Sequence, residues 1–117
     1  MIQRIFILLA FSVSLGACST QKQTEAKQLT LYQALGGALK VEDIVDAFIQ
    51  NIASDPDVIN YFTHANVDHF RKGFIQHFCE ATDGPCTFDG DSMRDIHTGM
   101  NITEGDFNRV VELLVKA

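Results

Sequence analysis

Met93-Arg94-Asp95-Ile96-His97-Thr98-Gly99-Met100-Asn101-Ile102 is the stretch that decides how the rest of this chain is read. The spacing predicts a short helical run ending at His97, broken two residues later by Gly99. Thr103-x-x-Asp106 then has capping-box spacing and starts an amphipathic helix. A histidine at such a turn points its ring outward with one nitrogen free. The other nitrogen can donate to a backbone carbonyl one turn back, that of Met93, which fixes the tautomer. A single imidazole is offered to a haem iron in this way. The same residue type near a helix end also serves as a plain C-terminal cap, favoured by the helix dipole. These ten residues alone leave both readings open.

Outward from this stretch the pattern is helical throughout. Phe107, Val110, Val111 and Leu114 are the expected apolar face of the last helix. Upstream, the segment 82–92 is rich in Asp and Gly and reads as a surface loop. Asn66 is a suitable N-cap for a helix over 67–81, on which Phe70, Phe74 and Phe78 recur every four residues along one face. Val41, Ile44, Val45, Phe48 and Ile52 form one face of an earlier helix. Asp55-Pro56 stops that helix and caps a brief turn that Tyr61-Phe62 closes. Thr30-x-x-Gln33 opens a first short helix, and Gly36-Gly37 ends it. Strand signals are absent, so the domain is all-α.

Leu31-Tyr32-Gln33-Ala34-Leu35-Gly36-Gly37, Phe48, Asp55-Pro56, Tyr61-Phe62 and Met93…His97…Gly99…Ile102-Thr103, in that order, resemble the group 1 truncated haemoglobins. The resemblance runs from Leu29 to Ala117. It implies a truncated two-over-two globin fold, a haem b cofactor, His97 as the proximal iron ligand, and a diatomic gas (O₂, NO or CO) as partner. Phe62 matches the phenylalanine that wedges against the porphyrin, and Met93, Ile96, Ile102, Phe107 and Val110 match apolar haem contacts. Phe48, Phe70, Phe74 and Phe78 add flat aromatic surface that a porphyrin would use, although such a stripe also serves as ordinary core.

The distal side departs from the family. Ile49 stands where many members have tyrosine, and Phe74 where the third helix commonly offers glutamine, with Phe70 one turn earlier. No hydroxyl or amide therefore faces a bound ligand. The family's usual basic residue for a haem propionate falls on Gly73, leaving Arg71, Lys72 or His69 to substitute. The family also has one further helix after the last one read here. The absent distal donors and the missing last helix both favour an alternative, a haem-free lipoprotein on a globin scaffold with an interaction or structural role.

The 117 residues suffice for one domain, and two N-terminal segments do not belong to it. Residues 1–17 read as an export signal, with Arg4 near the start, an apolar run from Ile5 to Val13, and small residues before Cys18. Leu15-Gly16-Ala17-Cys18 resembles the bacterial lipoprotein processing box, which implies lipidation of Cys18 and attachment to an envelope membrane, at the outer membrane since Ser19 follows. Residues 18–28 then form a lipidated cysteine and polar tether, and 29–117 the globin domain.

The net charge of −6, with Arg71-Lys72 the only adjacent basic pair, excludes a phosphate-tracking nucleic-acid surface. Cys79 and Cys86 remain as an even pair, read as a disulfide worth roughly 2–3 kcal/mol or as two small buried hydrophobes. His69 and His77 are eight residues apart on one helix, too far for a two-histidine metal pair. No catalytic serine elbow, phosphate loop or Cys-x-x-Cys is present. Haem-dependent turnover of NO or peroxide would need positioned acid–base groups that the distal face lacks.

Overall fold

Thr30 starts the fold by closing a reciprocal cap. Its hydroxyl accepts from the Gln33 N–H (3.2 Å), and the Gln33 side chain accepts from the Thr30 N–H (3.1 Å). Helix α1 spans Leu31–Ala34, and the chain then reverses through Gly36 at φ 106°, a left-handed conformation open mainly to glycine. The computed structural model describes residues 27–117, so the expected export signal, Cys18 and most of the expected tether lie outside the described residues.

Helix α2, Gly37–Ala53, is the centre of the domain. Val41, Val45, Phe48 and Ile52 recur at intervals of four, three and four, which is one continuous stripe on a helix, and all four are buried. The stripe packs against α3 (Val67–Ala81) on one flank and α5 (Glu104–Lys116) on the other, with α1 at its start. Asn66 caps α3 by accepting from the His69 N–H (2.9 Å), and Thr103 and Asp106 close the capping box of α5. The described residues contain no strand, and the all-α expectation holds.

Between α2 and α3 the chain makes a turn and a short 3-10 helix, Ile59–Phe62. Asp55 organises this passage. It is a buried carboxylate, 4 % exposed, whose Oδ1 accepts from the N–H groups of Asp57 and Val58 (both 3.1 Å). Its Oδ2 accepts from Arg109 Nε (2.8 Å) on α5. Burial alone would push this carboxyl up. The Arg109 hydrogen bond and the two N–H donors outweigh burial and hold it below the ordinary carboxylate range. Tyr61 in the 3-10 helix donates to Asp106 of α5 (2.7 Å), and Asn51 of α2 donates to the Leu113 carbonyl (3.0 Å). Three long-range polar ties therefore fix α5 against the first half of the domain.

One expectation for α5 needs correction. The buried residue is Leu113, with Val110 and Leu114 half-buried beside it, while Phe107 is 61 % exposed and Val111 41 %. Phe107 lies six residues before Leu113, about 120° round the helix. The inward face is thus centred on Leu113, which packs with Phe48, Ile52 and Val58.

Candidate functional site

Ser92 sets up the helix that carries His97. Its hydroxyl accepts from the Asp95 N–H (3.2 Å), and α4 runs over Met93–His97. At the other end Thr98 Oγ1 donates to the Arg94 carbonyl (2.7 Å), and Gly99 turns the chain away at φ 83°. His97 Nδ1 lies 2.6 Å from the Met93 carbonyl. A carbonyl only accepts, so Nδ1 carries the hydrogen and Nε2 is left with a free lone pair. Five residues of sequence thus produce one oriented imidazole.

His97 borders a cavity of about 490 Å³. One wall comes from α2, α3, α5 and the 3-10 helix: Phe48, Phe62, Phe70, Phe74 and Val110. The rings form a continuous aromatic surface. Phe48 lies 5.0 Å from Phe74, Phe70 stacks on Phe74 at 5.6 Å, and Phe62 meets Phe70 edge-on at 5.2 Å. The other wall is Met93, Ile96 and His97 of α4 with the segment 88–91 leading into it. Besides His97, the polar side chains at the cavity are Asn66, His69, Lys72, Gln76, Asp89 and Asp91.

Of the residues singled out from sequence, His97, Phe48, Phe62, Phe70, Phe74, Met93, Ile96 and Val110 meet at this cavity. Ile49, Phe78, Ile102 and Phe107 stand outside its wall. Ile49 follows Phe48 directly, about 100° round α2. Phe78 continues the aromatic stripe one turn further along α3, 6.2 Å from Phe74. Ile102 and Phe107 are both exposed.

The three basic residues offered for the Gly73 position separate cleanly. Arg71 is engaged by Asp46 (Nη2 to Oδ2, 2.9 Å) and Glu42 (3.3 Å), and its hydrogen bond holds the Asp46 carboxyl below the ordinary range. Lys72 and His69 border the cavity. His77 packs edge-on against Phe88 at 5.3 Å and does not join the wall. Tyr61 is spent on Asp106, which pushes the phenol up from its ordinary value. The aromatic floor therefore has no hydroxyl donor.

The segment 88–91, whose polar composition predicts plain surface loop, lines the cavity. A lone aromatic, Phe88, among Asp, Gly and Thr just after Cys86 was the available signal. Cys79 and Cys86 are bridged, with Cα atoms 5.8 Å apart, and this ties the segment to the end of α3.

Haem presents a flat apolar macrocycle, a central metal needing an axial ligand, and two carboxylates on one edge. The residues here fit each part. The stacked phenylalanines offer flat apolar contact, Nε2 of His97 a free lone pair at the cavity, and Lys72 a cation at its border with His69 beside it.

Comparison with known proteins agrees with this geometry. Residues 30–117 match the family model described as bacterial-like globin. A group 1 truncated hemoglobin of Tetrahymena thermophila is 30 % identical over 88 residues, covering 75 % of this chain and 73 % of that one. The group 1 truncated hemoglobin GlbN of Mycolicibacterium paratuberculosis is 27 % identical over 93 residues, 80 % of this chain and 68 % of the relative. Among solved structures, the Fe(III) form of truncated hemoglobin from Tetrahymena pyriformis superposes with a TM-score of 0.73 at 27 % identity, covering 75 % of each chain. The 2/2 hemoglobin of Synechococcus sp. PCC 7002, solved in the cyanomet state with covalently attached heme, gives 0.71 at 27 % identity over the same shares. The fold is the truncated two-over-two globin arrangement with a reduced helix set. The chain belongs to the bacterial-like globin family, among the group 1 truncated hemoglobins.

Proposed function

We propose that this protein is a haem b-binding globin that takes up a diatomic gas at an iron held by His97, and that Cys18 anchors it to a bacterial envelope membrane. The observation that carries the reading is the 2.6 Å contact from His97 Nδ1 to the Met93 carbonyl beside a cavity floored by phenylalanines. That contact fixes the tautomer and the ring orientation, so that Nε2 is the nitrogen available to iron. When bound, haem would supply the iron at which a small gas can be held.

The chain's own residues do the rest. Phe48, Phe62, Phe70 and Phe74 remove water from the floor and clasp a flat apolar body. Met93 and Ile96 close the His97 side. Lys72 supplies positive charge for carboxylates, and the His69 ring beside it offers a hydrogen-bonding group. Membrane attachment has separate support, the Leu15-Gly16-Ala17-Cys18 pattern after an apolar run.

Titration of the purified protein with haemin, followed by absorption spectroscopy after reduction, tests the cofactor. One equivalent of uptake with an imidazole-ligated ferrous spectrum is expected. No uptake would leave the haem-free scaffold as the better account. Fractionation of producing cells tests the anchor: Cys18→Ser should leave unprocessed precursor or release the protein from membranes, and unchanged processing and partition would refute it.

A further inference from the structure

The two sides of the cavity are held in very different ways. Every residue of α4, from Met93 to His97, is exposed, and this helix buries no side chain of its own. What holds it in place is therefore the chain on either side. Downstream, half-buried Met100 leads to the Thr103 cap of α5. Upstream, among the described residues, the strap over 86–97 is fastened to the last turns of α3 by the Cys79–Cys86 bridge, the Gln76 amide donating to the Thr87 carbonyl (2.8 Å), and the edge-on contact of His77 with Phe88. On the strap the two weaker fastenings, at Thr87 and Phe88, sit within two residues of Cys86. Gly84 shows how closely the loop is drawn in. Its N–H donates to the Cys79 carbonyl (2.7 Å), and a Cβ there would come within 2.5 Å of Cys79 Sγ.

We propose that the Cys79–Cys86 bridge is a redox-sensitive clasp on the haem cavity. Opened by a dithiol, it frees the strap over 86–97 and loosens the site's hold on its cofactor. The inference rests on the haem-binding reading above. Cys79 is buried and Cys86 only half-buried, so an incoming thiolate reaches Cys86 Sγ. A mixed disulfide forms there while Cys79 leaves as a thiolate and takes up a proton. The second thiol of the reductant then displaces Cys86, which is protonated in turn. Two electrons pass to the bridge, and the dithiol ends as its own disulfide. The core stripe of α2 is untouched by this exchange, so the effect falls on the α4 side of the cavity.

The test compares the full protein loaded with haemin in three states: oxidised, reduced with dithiothreitol, and as the Cys79→Ser, Cys86→Ser double variant. Haemin loss to excess apomyoglobin is timed in each. The reduced protein and the double variant should lose haemin at least tenfold faster than the oxidised protein. The double variant should not respond to dithiothreitol, and reoxidation of the wild type should restore slow loss. Amide exchange should rise over 86–97 while α2 stays protected. Loss rates within twofold of one another would overturn the clasp. So would a collapse of helical content on reduction, since the bridge would then serve the whole fold. Failure to take up haemin in any state would remove the haem-binding reading and this inference together, whereas uptake with indifferent loss removes the clasp alone.

Discussion

The two walls of the cavity do different work because they are made differently. The α2–α3 wall is part of the core: Phe48 is 2 % exposed and packs with Ile52, Val58 and Leu113, and Phe70 and Phe74 rest against that cluster. The α4 wall is hung from its ends, with Met93 38 % and Ile96 47 % exposed. One wall is paid for by folding itself, and the other depends on local turn chemistry, a bridge and its cofactor. Substitutions on the first should therefore act on stability, and those on the second on haem retention.

That contrast can be broken most easily at the core. Phe48→Ala should cost about 3–5 kcal/mol, the usual loss for emptying a buried phenylalanine site. Ile96→Ala should cost less than about 1 kcal/mol in the haem-free protein, since its side chain is half in solvent already. Urea denaturation of both variants without haem checks this, and equal losses would mean α4 is as much a part of the core as α2. Haem loss should rank the other way relative to stability, with Ile96→Ala speeding it while leaving the fold intact.

Asp55 sharpens the comparison from the side of the rigid wall, because it ties the turn before Phe62 to α5. Its carboxyl is held below the ordinary range in the folded state. A group so lowered contributes stability above its unfolded value, about 4. The contribution fades as pH falls through the lowered folded value. Asp55→Asn should therefore reduce the melting temperature by several degrees at neutral pH, and the gap to wild type should close in acid. A gap independent of pH would show that the hydrogen bonds, rather than the charge, hold the turn.

The smallest effect concerns the distal lining. A donor beside a ligand that draws negative charge is worth about 1 kcal/mol, which corresponds to a several-fold change in release. Phe74→Gln places an amide on the cavity wall and should slow O₂ release several-fold, with little change for CO. Ile49→Tyr should do less, because Ile49 lies outside that wall. Flash photolysis and stopped-flow mixing separate the two gases. A larger response at Ile49 would mean that the loaded site reaches further along α2 than this cavity does.

The sequence made these walls legible to different degrees. Features set within one or two turns were readable: the Thr30 and Thr103 capping boxes, the Asn66 cap, the α2 stripe and the His97–Met93 contact all follow from spacings of three or four residues. The truncated-globin resemblance added the order of the elements. Features set by distant partners were not readable. The rotation of α5 onto Leu113 depends on Asn51, Tyr61 and Asp55, each more than forty positions away in sequence. Phe107 and Val111 fit a helical apolar pattern equally well, and no local rule chooses between the two faces. The segment 88–91 looked like surface because its composition is polar. It borders the cavity only because the chain is drawn back onto α3.

On the proposed function, His97 and no other residue holds the iron. Replacing His97 with glycine and adding imidazole tests it directly. His97→Gly without imidazole should lose the proximal histidine signature in the resonance Raman spectrum of the ferrous, haem-loaded protein. Millimolar imidazole should restore an iron–imidazole stretch, since the free ligand can enter the space vacated by the side chain. An unchanged spectrum in His97→Gly without added imidazole would contradict the account and move the iron to another histidine, His69 being the one that borders the same cavity.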